Sequence, residues 1–208
     1  MFGTQNLWVF LVSGIALNIT PGQDTFHILA RSMAQGRRAG FLAVAGIICG
    51  CSIHTLAAAF GISALLGASA HAFRVVKLLG AAYLVSLGLR MVFSRSPDAS
   101  PLNSVRHDGN WGIFRGGFFS NLFNPKTALF FLAFLPQFVA PDALHKIPAL
   151  LFLGGLFMTT GTLWCLALVL FASALTRQLR ENPSAGTLLQ RSAGALFVGL
   201  GAKLAVGR

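Results

Sequence analysis

Two short stretches decide how this chain is read: Asn18-Ile-Thr-Pro-Gly-Gln-Asp24 and Asn121-Leu-Phe-Asn-Pro-Lys126. Each places polar and helix-breaking residues inside a segment that is otherwise apolar. Proline lacks an amide hydrogen and crowds the carbonyl one turn earlier, so Pro21 and Pro125 each free backbone groups that lipid cannot satisfy. Breaks of this kind are tolerable only beside neighbouring helices, water or a solute, and two of them in comparable segments point to a polar cavity.

Working outward, the apolar residues around the breaks run from about 6 to 35 and from about 111 to 136, enough helix to cross a hydrocarbon core about 30 Å thick. Four more candidates lie at about 40–66, 73–93, 147–175 and 188–206. The third and sixth are short in uncharged residues, and spanning there requires Lys77, Arg90, Arg191 and Lys203 to extend toward the interfaces. The stretch 94–110, with Pro97, Asp98, Pro101 and Asp108, is the longest hydrophilic connector. The expected fold is therefore all-α and polytopic, a single transmembrane domain over 1–208. It has six transmembrane helices in two three-helix repeats (about 1–93 and 111–208), a cytoplasmic linker at about 94–110, and broken first and fourth helices.

Composition agrees. Of 208 residues, 55% are hydrophobic and 10% charged, against about a quarter charged in soluble domains. Mean hydropathy is +0.71. Five acidic residues cannot coat a globular surface, which excludes a water-soluble enzyme. The net charge of +11 is scattered between apolar runs, a pattern that suits topology signals and lipid head groups and argues against nucleic acid as a partner. Cys49, Cys51 and Cys165 lie within apolar runs and imply no disulfide framework. The first run meets no positive charge until Arg31, so the charged start of a secretory signal is missing and the segment is expected to remain in the mature protein.

Lys and Arg counted in alternate connectors give ten on one side (Arg31, Arg37, Arg38, Arg90, Arg95, Arg106, Arg115, Arg177, Arg180, Arg191) and five on the other, with Lys126 inside a span. The richer side is cytoplasmic, so both termini are expected outside the cytoplasm. The halves also echo one another: Pro21 is answered by Pro125, and Gly80-Ala-Ala-Tyr-Leu84 by Gly194-Ala-Leu-Phe-Val198. A unit of three crossings repeated once must enter the membrane with opposite orientation, an arrangement characteristic of secondary transporters.

The candidate binding or coupling residues are Asn18, Pro21, Gly22, Gln23, Asp24, His54, Asn121, Asn124, Pro125 and Lys126. An ionised side chain at the bilayer centre costs about 2.5–3.5 kcal/mol on insertion scales, so Asp24 and Lys126 each need a reason. One reason is an Asp24–Lys126 pair that pins the repeats together. The other is transport, with Asp24 taking and releasing a proton and Lys126 meeting a carboxylate; the two are compatible if substrate competes for the pair. A zwitterion suits the site, because half-helix N-termini offer amides to a carboxylate while freed carbonyls and Asp24 accept from an ammonium. His54 either lines the path or is a buried imidazole bonded to a carbonyl, and His27 lies one turn from Asp24. Gly36, Gly40, Gly46 and Gly50 form small-xxx-small pairs expected to serve helix packing. The phenylalanines from Phe118 to Phe138 read as packing or lipid-facing groups, or as part of a dry gate.

The chain also resembles the bacterial amino-acid exporter family of lysine exporters and homoserine/threonine (homoserine lactone) exporters. The resemblance runs nearly end to end. It rests on Pro21-Gly-Gln-Asp24, Arg37-Arg-Ala-Gly40, Gly46 to Gly50 with His54, Gly61-Ile-Ser-Ala-Leu65, the run from Lys77 to Gly88, Asn121 to Lys126, Leu135-Pro-Gln-Phe138 and Gly194-Ala-Leu-Phe. It implies a multi-pass bacterial inner-membrane exporter that drives amino acids outward against proton entry. The Pro-Gly and Asn-Pro-Lys segments would carry the function. The chain departs from the family's Pro-Gly-Pro pattern in carrying Gln23, which restores an amide hydrogen.

The expected partners are a small amino acid or derivative of the threonine, homoserine or homoserine lactone class, protons and lipid, with a homo-oligomer left open and no cofactor. No Gly-x-x-x-x-Gly-Lys-Ser/Thr loop binds ATP, and neither a Gly-x-Ser-x-Gly turn nor a His-Glu-x-x-His helix suggests an enzyme. The alternative is a divalent metal cation exporter, which would need Asp24, His27 and His54 to converge with a cysteine.

Overall fold

The computed structural model describes residues 3–62, 70–93, 107–140, 143, 146–174 and 183–206. Its ordered elements are helical: α1 (Leu7–Ile19), α2 (Gln23–Leu56), α3 (Ala70–Phe93), α4 (Asn110–Leu122), α5 (Pro125–Leu129), α6 (Lys146–Leu170) and α7 (Pro183–Val206). A π-helical turn, Ala57–Ile62, extends α2, and α5 runs on through a second π-helical turn, Phe130–Phe134, into a 3-10 turn, Leu135–Phe138. Most of the expected 94–110 connector, the end of the second span and Arg177 and Arg180 lie outside the described residues, as do the side chains of Lys77 and Lys203.

Both expected breaks are present. Thr20, Pro21 and Gly22 separate α1 from α2, and Phe123 and Asn124 separate α4 from α5. The second pair of helices meets at 43°. A third interruption falls at Gly36. Gly36, expected to serve helix packing, has no neighbour within 4 Å of where a Cβ would stand, and its φ of 82° with ψ of 177° is a conformation essentially confined to glycine. The chain reverses there, because Thr25 on one side and Ile47 on the other line the same cavity. The helical residues 23–61 thus fold back on themselves, and residues 37–61 alone extend about 37 Å at about 1.5 Å per residue. Gly40 and Gly46 do serve close packing: a Cβ on Gly40 would strike Ser32 and Val169, and one on Gly46 the Phe114 backbone.

By length and hydropathy, residues 23–61 and Lys146–Leu170 qualify to cross a membrane, and the bent pair Asn110–Leu122 with Pro125–Phe138 qualifies as one broken span. The chain is a polytopic, all-α membrane protein. Its outer surface is apolar as lipid solvation requires, with Trp8 80% and Phe93 78% exposed. The buried core is aromatic: Phe10, Phe130, Phe131, Phe134 and Phe157 stack or meet edge-on with centroids 4.7–6.1 Å apart. The expected phenylalanine cluster therefore divides, with Phe130, Phe131, Phe134 and Phe138 buried and Phe119 and Phe123 exposed.

Three packing pairs run antiparallel. Residues 23–35 descend along α4, since Asp24 meets Ser120, His27 lies against Gly116, and Arg31 reaches Asp108. Residues 37–56 oppose α6, where Arg37 donates to the Leu170 carbonyl while Thr55 meets Gly154 and Met158. In α3 and α7, Gly88 faces Gly194 and Ala81 faces Gly201. The glycines permit these approaches; a Cβ on either Gly88 or Gly194 would collide with the other's carbonyl.

Candidate functional site

The two breaks meet around one cavity of about 70 Å³. A single water needs about 10–15 Å³ on this scale, so the space admits several waters. Asn18, Gly22, Asp24, Asn121, Asn124 and Lys126 line it, whereas Pro21, Gln23, His54 and Pro125 do not.

Asp24 lies in the first turn of α2, and its carboxylate receives three donors from the opposite break. Ser120 Oγ donates to Oδ1 at 2.9 Å, and Asn121 Nδ2 and Asn124 Nδ2 donate to Oδ2 at 2.9 and 3.0 Å. Hydrogen bonds to a charged group are worth about 1.5–3 kcal/mol each, so three of them offset the cost of placing a carboxylate at this depth. Asn124 works at both ends, because its Oδ1 also caps α5 by accepting from the Lys126 amide at 3.0 Å. That amide, expected to be open to a substrate carboxylate, is thereby occupied.

Lys126 reaches the other way. Its Nζ donates to the Thr20 carbonyl at 2.9 Å, a group left without a helical donor because α1 ends at Ile19. Gly22 borders the ammonium, and a Cβ there would stand 3.6 Å from Nζ, an ordinary contact. The direct Asp24–Lys126 pair considered from sequence does not form: among the described residues these two share no ion pair. Each charge is instead held by polar groups of the opposite break. Among the described residues Arg31 and Asp108 do form an ion pair, at 2.5 Å, bridged further by Gln35, which accepts from Arg31 at 3.1 Å and donates to the Asp108 carbonyl at 2.9 Å.

The remaining candidates take other roles. Asn18 turns to α6, donating to Thr160 Oγ1 at 3.2 Å and the Phe157 carbonyl at 3.4 Å. His54 Nε2 pairs with the Asn121 carbonyl at 3.1 Å and its ring stacks on Phe131. It braces the second break from outside the cavity. Pro125 is the first residue of α5 and Gln23 the first of α2, a helix position whose amide has no intrahelical acceptor. Proline or glutamine at 23 therefore leaves the hydrogen-bond ladder unchanged, and the break rests on Pro21 and Gly22.

Sequence reasoning passed over Ser120, Thr20 and the contribution of α6. Met158, Gly161, Thr162, Trp164 and Cys165 close the cavity on that side. The one signal was Thr159-Thr-Gly-Thr162, a polar interruption in an apolar helix. The convergence that a metal cargo site requires is not found: no group of three or more His, Cys, Asp or Glu among the described residues could hold an ion.

Comparison with known proteins bears on what this cavity does. Residues 15–208 match the family model described as LysE type translocator. A leucine efflux protein of Klebsiella pneumoniae is 30% identical over 210 residues, covering 98% of this chain and 96% of that one. A leucine efflux protein of Enterobacter sp. is 28% identical, covering 98% and 97%. An uncharacterized membrane protein of Vibrio cholerae is 30% identical, covering 98% of each chain. No solved structure matches. The chain belongs to the LysE-type translocator family, whose members are transporters rather than enzymes.

Proposed function

We propose that this LysE-type translocator is a secondary exporter of the inner membrane, which moves small amino acids or their derivatives out of the cytoplasm in exchange for protons. The observation that carries this reading is the crossed arrangement at the cavity, where Asp24 of one break is held by Ser120, Asn121 and Asn124, and Lys126 of the other by the Thr20 carbonyl. A zwitterion can compete for both ends at once. Its ammonium replaces the amide donors on Asp24, and its carboxylate draws Lys126 from the Thr20 carbonyl. Protonation of Asp24 from the far side would release the ammonium and reset the site. The leucine efflux relatives support an amino-acid cargo of the neutral class.

The architecture that goes with this function is six spans in two inverted repeats, with both termini periplasmic. It is supported by the opposed direction of all three matched pairs: first span with fourth, second with fifth, third with sixth. Residues 3–5 pair with 137–140 at one end of the molecule, and Arg31 pairs with Asp108 at the other. The first contact joins the start of the first span to the end of the fourth, and the second joins the end of the first to the start of the fourth, as opposed directions require.

The test is transport by purified protein in liposomes loaded with labelled leucine, threonine or homoserine. An acidic exterior should accelerate efflux over that from protein-free liposomes and from liposomes at equal pH. Efflux indifferent to the gradient would remove proton exchange, and protection of cells against nickel or cobalt with no amino-acid efflux would replace the cargo.

A further inference from the structure

Resting on the exporter reading above, we propose that the face of α6 carrying Phe157, Met158 and Trp164 is the side-chain subsite, and that it selects an amino acid whose side chain is uncharged and apolar. Among the described residues lining the cavity, Asp24 is the one acid and Lys126 the one base. The ammonium and carboxylate common to all amino acids use both. A lysine or arginine side chain would bring a further cation and find no second carboxylate, and a buried charge without a partner is strongly disfavoured.

The rest of the wall mixes the hydroxyls of Thr20, Thr25, Thr127 and Thr162 with an apolar part, Leu17 and Ile47 from the first repeat together with Phe157, Met158 and Trp164 of α6. Two features mark α6 as the adjustable side. Met158, an unbranched and polarisable side chain that adapts to irregular partners, lies with its sulfur 3.4 Å from Thr55 Oγ1, whose closer acceptor is the Cys51 carbonyl at 3.0 Å. At Gly161 the wall is held back, because a Cβ there would stand 3.1 Å from Asn18 Oδ1.

Two polar atoms on cavity-lining residues are buried without a hydrogen-bond partner, Trp164 Nε1 and Asn121 Oδ1. Asn121 is 4% exposed, and since a carboxylate only accepts, donation by its Nδ2 to Asp24 fixes the amide orientation and leaves Oδ1 as an acceptor. Buried groups of this kind are normally satisfied. An α-amino acid supplies both complements, an ammonium for Asn121 Oδ1 and a carboxylate oxygen for the Trp164 indole.

The experiment measures efflux of labelled alanine, leucine, phenylalanine and lysine from liposomes containing wild type, Met158→Ala, Met158→Phe or Trp164→Phe. Wild type should prefer leucine to lysine by about tenfold or more, and the phenylalanine-to-alanine ratio should rise in Met158→Ala and fall in Met158→Phe, about tenfold apart. Trp164→Phe should raise the half-saturating leucine concentration roughly three- to tenfold while leaving the substrate-free protein no less heat-stable, since it deletes an unpartnered donor. Lysine moved as fast as leucine, or a ratio constant within about twofold across both Met158 variants, would overturn the subsite. A destabilised Trp164→Phe with unchanged half-saturation would make the indole N–H structural and remove it from the subsite. A wild-type protein that moves threonine or homoserine but none of the four overturns the subsite alone, and one that moves none of these six overturns the exporter reading beneath it.

Discussion

The side-chain amide of Asn121 donates to Asp24 Oδ2 at 2.9 Å, joining residues that stand 97 positions apart at two separate helix breaks. With Ser120 and Asn124 it makes the carboxylate the most heavily bonded side chain in the cavity. A substrate ammonium must therefore displace existing donors, which makes the site selective for groups that bind a carboxylate better than neutral amides do.

Asp24→Asn should abolish efflux driven by a pH gradient. The substituted amide retains an acceptor oxygen but turns an NH2 toward donors, and it cannot exchange a proton. Transport measured in liposomes should fall by at least about two orders of magnitude, the range general acid–base groups commonly contribute. Asp24→Glu should retain a fraction of activity. Gradient-driven transport at the wild-type rate by Asp24→Asn would dismiss Asp24 as the coupling group.

Gly22 sets the room around the Lys126 ammonium. Its backbone is extended, which any residue adopts, and the nearest side-chain atom to a Cβ is Nζ at 3.6 Å, an ordinary contact. Gly22→Ala should keep transport within a few-fold of wild type. Gly22→Leu should push Lys126 from the Thr20 carbonyl and raise the half-saturating concentration by about tenfold, the effect of losing one charged hydrogen bond.

Gly36 holds a conformation closed to other residues, and Gly36→Ala should destabilise the protein by about 1–3 kcal/mol. Thermal unfolding in detergent reads this directly. Gly155, exposed on α6 with nothing within 4 Å, is the control: Gly155→Ala should be neutral or slightly stabilising.

Breaking the Arg31–Asp108 contact by Asp108→Asn should loosen the packing of residues 23–35 on α4 at the end of the first span. Asp108 is 39% exposed, so the contribution to stability is small, about 1 kcal/mol or less. Accessibility is the sensitive readout. Cys51 and Cys165 line the cavity, and their labelling by a membrane-impermeant thiol reagent applied from the cytoplasmic side should quicken in Asp108→Asn and return in the charge-exchanged double variant Arg31→Asp with Asp108→Arg. Unchanged labelling would separate this contact from access to the cavity.

The sequence by itself determined the helical, membrane-solvated class and the place of both proline breaks. Those follow from local chemistry: proline cannot continue a ladder, and 55% hydrophobic residues with five acids leave lipid as the solvent. It also singled out Asp24, Asn121, Asn124 and Lys126, because charges and amides amid apolar residues stand out without knowledge of their neighbours. Tertiary structure decided the rest. That Asp24 and Lys126 are each held by the opposite break, that His54 braces Asn121 from outside the cavity, and that Asn18 serves α6 while its counterpart Asn121 serves Asp24 all depend on which helices meet. Gly36 shows the same limit from another side, since a glycine that packs and a glycine that turns look identical in a sequence. Periodicity and propensity act along the chain, whereas a hydrogen bond between residues 97 apart is set by the packing of whole helices, and no local signal carries that distance.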